Sequence, residues 1–491
     1  MDSTRGVETN VSAQRIWRSC AFVLLAGLLV ASLSPFAARS SRAAGHTIAV
    51  TGLLQDAVDA ALPGDVLVLQ SRAYTERVLI NTTGTADAPI MIAGAGIGRS
   101  ILQGTLLLRE NARFWRIQDL DVDAGGSSKD AVRLETGSHD VRLQRMHIYN
   151  GKGYGVRISN DVWNVLVEDS EIDHFDAGTA DAHGVGIMTA SAVTIRRCDI
   201  HHNSGDSIQS NTPDYPGYNR FASAILIEQN KLHENRENAL DIKSTHGLIA
   251  RNNQMWGFAA VSSSDGMAIQ VQYDAQDILI ENNQVWDAAE GIEVTRGKKS
   301  GTYYPAAPQR VTIAGNLFHN IGTSSGSGAR AGPFVVYLPM MQTPFDDSSD
   351  SGSASGIIIR ASTNVKIYNN TVSRAGRLGL YLGSPGNGEY PSAIDVRNNV
   401  LDGLIGDLDY AFDPHNIPQL VVDYNHYVNG RVGSGDLAAW LAQGYEHHPT
   451  SGDPRLDAGL LPLLVSPLRD SGVYVGRPFS GSAPDRGWGE P

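Results

Sequence analysis

The sequence predicts an all-β chain wound as a parallel β-helix, a solenoid of short strands stacked coil on coil. Three observations predict it. A run of alternating apolar residues that closes on Asn or a polar pair recurs along most of the chain. A second, shorter alternating run follows each copy, and helical 3.6-residue periodicity is almost absent in between. Repeats of 20–50 residues mark solenoids and propellers, and a propeller needs four strands in every ~40–45 residues, more than these repeats hold.

The clearest copies are 225–230, 248–253, 278–283, 311–316, 365–370, 394–399 and 420–425, preceded by weaker ones starting at Val141, Val165 and Val193. Their spacing runs from 23 to 33 residues, apart from one interval of 54 that contains a Ser/Gly-rich insertion with Asp346, Asp347 and Asp350. That insertion reads as a loop. The second runs include 155–158, 240–243, 267–270 and 292–294. Asn is expected at the corners because it tolerates left-handed dihedrals and because like residues can stack from coil to coil. Before the repeats, 53–62 (LLQDAVDAAL) reads as a short amphipathic helix that covers the open end of the solenoid. The expected organisation is therefore a leader over 1–44, an N-terminal cap and first coils over 45–110, repeats over 111–428 and a C-terminal cap or tail over 429–491.

The leader follows from Arg15 and Arg18, the uncharged apolar run 20–33 and the small residues up to Ala43 and Ala44. The apolar run is shorter than the ~20 residues that span a bilayer. Secretion or a periplasmic location is expected, with no stable membrane insertion once the leader is removed. The chain has 491 residues, 42% of them hydrophobic, so a sizeable core is available. Two Cys, one of them inside the leader, exclude a disulfide scaffold and a Cys-based zinc cluster. A formal net charge of −13 argues against a nucleic-acid partner, but a local basic patch or a cation still permits an acidic substrate.

The stretch LQDAVDAALPGDVLVLQSRAYTERVLI, followed by GTADAPIMIAGAG, resembles the N-terminal turn of secreted right-handed β-helix polysaccharide lyases of the pectate lyase-like superfamily. The alginate lyase and chondroitinase B type is the nearest likeness. The tail VVDYNHYVNG with DPRLDAGLLPLLVSPLRDSG is similar to the last coil of that superfamily. The resemblance implies an enzyme acting on an acidic, uronate-containing polysaccharide by β-elimination, and a monomer is expected. Such chemistry removes the proton at C5 of the sugar. It needs a proton acceptor, and a cation or Arg against the neighbouring carboxylate.

The segment NRENALDIKS (235–244) resembles the lyase stretch in which Asn-x-Glu precedes Lys-Ser, one residue shorter here. On that likeness Lys243 is the base, and Asn235 and Glu237 are cation-site positions. Arg296, or Arg251, stands in for the family's partner arginine. Aligning the second runs puts His183, Asp206, Asn238, Asp265 and Glu290 in one column at the strand entries. It puts Gly186, Gln209, Asp241, Ala268 and Glu293 in a first outward column, with Arg157 two coils before Gln209. Met188, Asn211, Lys243, Gln270 and Thr295 form a second. Asp241, Glu237, Asp206 and Asp265 are then the expected ligands for Ca²⁺, a hard cation taking six to eight oxygens. Arg157, Gln209 and Gln270, with Tyr215, Tyr218 and Tyr303 from flanking loops, are the expected sugar contacts.

Other readings stay open. A carboxylate beside Lys243 raises the lysine pKa, whereas a neutral-pH base needs it lowered. An exposed Lys–Asp pair would be a surface feature worth ~0–1 kcal/mol. His183, His201 and His202 lack metal-motif spacing and read as structural or surface residues. Pairs such as Asp265 with Glu290, or Asp206 with Asp265, would suit glycoside hydrolysis. Epimerisation at C5 or binding without catalysis uses the same wall.

Overall fold

The computed structural model describes residues 45–210, 220–261, 264–299, 302–304, 306–322, 354–384, 388–402, 404–406, 414–428, 431–432 and 435–490. The expected leader over 1–44, Asn211, Tyr215, Tyr218 and the insertion carrying Asp346, Asp347 and Asp350 lie outside them. Three long sheets run the length of the solenoid, and every pairing within them is parallel. Among the described residues the first sheet has 14 strands, from Thr47–Val50 to Val421–Asp423. The second has 12, from Val78–Ile80 to Leu404–Gly406, and the third has 14, from Ala73–Tyr74 to Thr450–Ser451.

The repeated phrase is one strand of the first sheet plus the corner after it. Its leading residues, Val141, Val165, Val193, Ile225, Leu248, Ile278, Val311, Val365 and Ile394, pair in that order. All are buried. Alternate residues point inward, so one aliphatic stack fills the bore and the side chains between them face out. The long interval between Val311 and Val365 does not break the stack, since the two residues pair directly.

At the corners the two expected uses of Asn fall to different residues. The first member of each polar pair takes the left-handed conformation, as in Gln229 (φ 59), Asn252 (φ 56), Asn282 (φ 56), Asn369 (φ 52) and Asn398 (φ 59). The second member turns inward and builds a ladder through Asn230, Asn253, Asn283, Asn316, Asn370, Asn399 and Asn425. Each Nδ2 up to that of Asn399 donates to the Oδ1 of the next Asn at 2.9–3.0 Å. The same Oδ1 also accepts the backbone N–H of the Asn before it.

The helix Leu54–Ala60 buries Leu54 and Val58 against the first coils. Glu76 accepts the N–H groups of Leu54 and Gln55 at 2.8 and 2.9 Å, satisfying donors that a helix start leaves orphaned. The Gln55 amide exchanges two hydrogen bonds with the backbone of Leu79, on the edge strand of the second sheet. That strand edge is therefore covered. At the other end a short helix, Leu437–Ala442, precedes the last strand. The tail then runs back along the outside. Arg477 meets Glu281 at 3.1 Å, and the Trp488 N–H donates to Thr371 Oγ1 at 3.0 Å.

Candidate functional site

The site is built on the outward face of the second sheet. In the strand Leu240–Lys243, Leu240 and Ile242 enter the core, so Asp241 and Lys243 share the opposite face. The register sets a column Arg157, Gly186, Gln209, Asp241, Gln270, Glu293. A second column runs Lys243, Gln272, Thr295. Arg157 lies two coils before Gln209, as the sequence indicated. Two expected placements are corrected: Gln270 pairs with Asp241, not with Lys243, and Ala268 leaves the first column. In the strand Met267–Gln272 every residue but Gln270 is buried, and Met267, Ile269 and Val271 are all apolar two residues apart, so a shift of two residues buries equally apolar side chains. Such a slip keeps the face and changes only the neighbour.

The entry column is corrected in the same way. Glu290 pairs with Met267, and Asp265 is an exposed residue before Gly266. Asp265 therefore does not join Asp206, Asp241 and Glu237.

The remaining residues form a buried polar network. Lys243 Nζ lies 2.6 Å from Asp241 Oδ2. Gln209 Nε2 donates to Asp206 Oδ2 at 2.9 Å and reaches Asp241 Oδ2 at 3.4 Å. Gln272 Nε2 donates to Asp241 Oδ1 at 2.9 Å. Asp206 Oδ1 accepts the backbone N–H and the Nδ2 of Asn238, at 3.0 and 2.9 Å. His183 Nδ1 accepts the Asp206 N–H at 2.8 Å and sits 3.2 Å from its Oδ2. Beyond them Tyr154 packs edge-on to His183, and the Arg157 guanidinium lies 5.3 Å from the Tyr154 ring. Gly186 makes room for that ring: a Cβ at 186 would stand 2.6 Å from two of its carbons.

Outward-facing side chains of a solenoid ordinarily meet water, but Asp206 and Asp241 are only 0% and 4% exposed. Burial works against the charge on Lys243, yet Asp241 and then Asp206 outweigh it and push the lysine pKa well up. Lys243 is thus firmly protonated. Burial pushes Asp241 up despite Lys243, while Asp206 is held low because His183 and Lys243 outweigh its own burial.

This donor set does not suit calcium. Both Asp206 oxygens and both Asp241 oxygens already face N–H donors, and Lys243 occupies the direction a cation would take. Glu237 is buried beside Arg236, whose Nη2 is 3.5 Å away. Its carboxylate lies within 4.8 Å of ligand atoms of His183 and Asp206, a set that mixes nitrogen with oxygen.

Arg296, the expected partner of Lys243, donates to the Tyr304 carbonyl and pairs with Glu389. Arg251 is paired with Glu228 at 2.7 Å on the first sheet. Tyr303 carries Lys298 4.5 Å above its ring, and Tyr304 stacks on Tyr273. Sequence reasoning missed Tyr154, Gln272 and Arg360. Arg360 Nη1 donates to Glu293 Oε1 at 2.9 Å, and nothing in the spacing announces it, since it follows the insertion.

The family described as right handed beta helix region matches residues 106–259, 181–336 and 261–435, more than half of the chain. This chain belongs to the right-handed β-helix family. No curated protein matches it. Among solved structures, the β-helix is similar to a mannuronic acid specific polysaccharide family 6 lyase from human gut microbiota. The identity is 13%, the TM-score 0.51, and the match covers 84% of this chain and 92% of that one. It is also similar to the A-module of a mannuronan C-5 epimerase of Azotobacter vinelandii (18% identity, TM-score 0.47, 67% and 93% covered). A third is a surface adhesin of Streptococcus pneumoniae (10% identity, TM-score 0.49, 79% and 91% covered). At 13% identity the first of these likenesses establishes the fold alone, and one fold hosts many reactions. No helix among the described residues is long and apolar enough to cross a membrane.

Proposed function

We propose that this β-helix protein is a polysaccharide lyase that works on a uronate-containing polymer along the outer wall of the second sheet. One observation carries the reading: a lysine paired with buried Asp241, which Gln209 links to a second buried aspartate, Asp206, on a face that could have been plain. Burying such charges costs several kcal/mol per ion before pairing, so a purely structural wall has little reason to keep them. Uronate β-elimination requires positive charge at the sugar carboxylate, and Lys243 supplies it in a site with little water. Lys243 enters as a cation, which suits neutralising the carboxylate; the C5 proton then passes to the neighbouring Asp241 carboxylate, made more basic by burial, as the C4–O bond breaks and the departing oxygen takes a proton from water. Glycoside hydrolysis loses support because Asp265 leaves the column that would have paired it with Asp206 or Glu290. A polymer of this kind is met outside the cytoplasm, in keeping with the leader-like residues 1–44.

Incubation with alginate, pectate and glycosaminoglycans, followed by ultraviolet absorbance of the unsaturated product, tests the reading. Absorbance is expected to rise with at least one polymer; no rise with any of them overturns it. Lys243→Arg separates the two roles of the lysine, because Arg keeps the charge but does not give up its proton. Retained turnover in Lys243→Arg, with loss in Lys243→Met, supports the neutralising role. Loss in both assigns the proton transfer to Lys243.

A further inference from the structure

A second cluster of ionisable side chains lies on a different wall. The third sheet presents two outward columns. One runs His147, Glu171, Asp199, Lys231, and the other Tyr149, Asp173, His201, His233, Trp256, Trp286, His319. Coil-to-coil stacking brings together imidazoles that are 32 residues apart in the chain. The rings of His201 and His233 lie 4.8 Å apart and nearly parallel, and His233 is stacked in turn on Trp256 at 4.1 Å.

We infer that Asp199, His201 and His233 form a binding site for a divalent transition-metal ion of the zinc class, with Glu171 as a fourth ligand. The Nε2 atoms of both imidazoles point toward the carboxylate column. His233 Nε2 is 2.9 Å from Asp199 Oδ1, and His201 Nε2 is 3.3 Å from Glu171 Oε1. One ligand atom from each of Asp199, His201 and His233 lies within 4.8 Å of the other two. Metal–ligand bonds of about 2.0–2.2 Å hold neighbouring ligands at most roughly 4 Å apart, so small side-chain rotations close the site. Two imidazole nitrogens with two carboxylates favour zinc-like ions over calcium or magnesium.

The far sides of the two rings supply the independent support. A metal-bound imidazole gives its other ring N–H to an acceptor, which fixes its tautomer and orientation. His233 Nδ1 lies 3.0 Å from Glu234 Oε2, and His201 Nδ1 lies 2.8 Å from His202 Nδ1. A single tautomer assignment satisfies both rings: each Nδ1–H donates outward, and each Nε2 keeps its lone pair for the ion. The two imidazoles are held in place, with side chains 12% and 14% exposed, while Asp199 at 37% leaves a path from solvent.

The test uses the full chain, stripped with a chelator and titrated with Zn²⁺ by calorimetry and with Co²⁺ by visible absorption. One site is expected, with the intense absorption of low-coordinate Co²⁺. His201→Gln and His233→Gln each abolish it, and Glu234→Gln weakens it roughly 10- to 100-fold through the orientation of His233. Asp199→Asn disturbs no ring stack and also weakens binding, so the inference does not rest on histidine variants alone. Absence of binding in the unaltered protein overturns the site. So does wild-type affinity in the folded variants, or a loss that follows His147→Gln or His183→Gln instead. Polysaccharide turnover enters none of these readouts, so the lyase reading stands or falls separately.

Discussion

Two buried polar arrays, the corner ladder of asparagines and the Lys243 network, solve the same problem in opposite ways. In the ladder, neutral amides satisfy one another in line, and every rung repeats the last. In the network, an ammonium, two carboxylates and an imidazole satisfy one another only by balancing charge, on a handful of coils. Neutral hydrogen bonds paired across coils stabilise modestly and cost little to bury, whereas paired ions seldom recover their desolvation. The ladder is thus read as structure and the network as function.

The sharpest break in this comparison is Lys243→Met. It strands Asp241 beside Asp206 without a counter-charge and is expected to destabilise by about 3–5 kcal/mol in denaturant unfolding. Adding Asp241→Leu should restore most of that loss, because an apolar pair needs no counter-charge. If the double variant is as unstable as the single one, the network is holding the fold rather than serving a reaction.

A second prediction concerns the end of the ladder. Glu446 accepts the Asn425 N–H and the Tyr427 hydroxyl, both at 2.7 Å, and burial pushes its pKa from the ordinary 4.5 up to about 7. A carboxyl whose folded pKa is raised stabilises while both states are protonated, so its contribution is complete below about pH 4.5 and is lost as pH rises to about 7. Unfolding free energy should fall by on the order of 3 kcal/mol across that window. Glu446→Gln should flatten the dependence.

Within the ladder, Asn316→Leu removes the acceptor for the Asn283 backbone and side-chain N–H groups, both at 2.9 Å. A loss of about 2 kcal/mol is expected by the same unfolding measurement. The smallest effect belongs to Cys198, which takes the rung before Asn230 and donates its N–H to the Asn230 Oδ1 at 2.9 Å. Burial pushes its thiol up to about 12. Cys198→Ser should change stability by less than about 1 kcal/mol. Alkylation should proceed only in denaturant, and rapid labelling of the native protein would contradict the packing described.

Much of the fold was legible because a solenoid writes its period into the chain. Leading residues such as Val165, Ile225 and Val311 are apolar at alternate positions and return once per coil, so local pattern and tertiary stack coincide. The face shared by Asp241 and Lys243 was legible for the same reason. Their neighbours were not. The choice between Ala268 and Gln270 beside Asp241 is a two-residue shift that leaves the buried pattern unchanged, and the loop before the strand absorbs it.

By itself, the sequence determined the coil, its corners and which side chains leave the core, since burial of alternate residues is a local rule repeated. Only the tertiary structure decided which coil meets which. It joined Asp241 through Gln209 to Asp206 in a buried place, sent Arg296 to Glu389, and stacked His201 on His233. Charge and ligand chemistry depend on distances between coils, and those are fixed by strand register rather than by spacing along the chain.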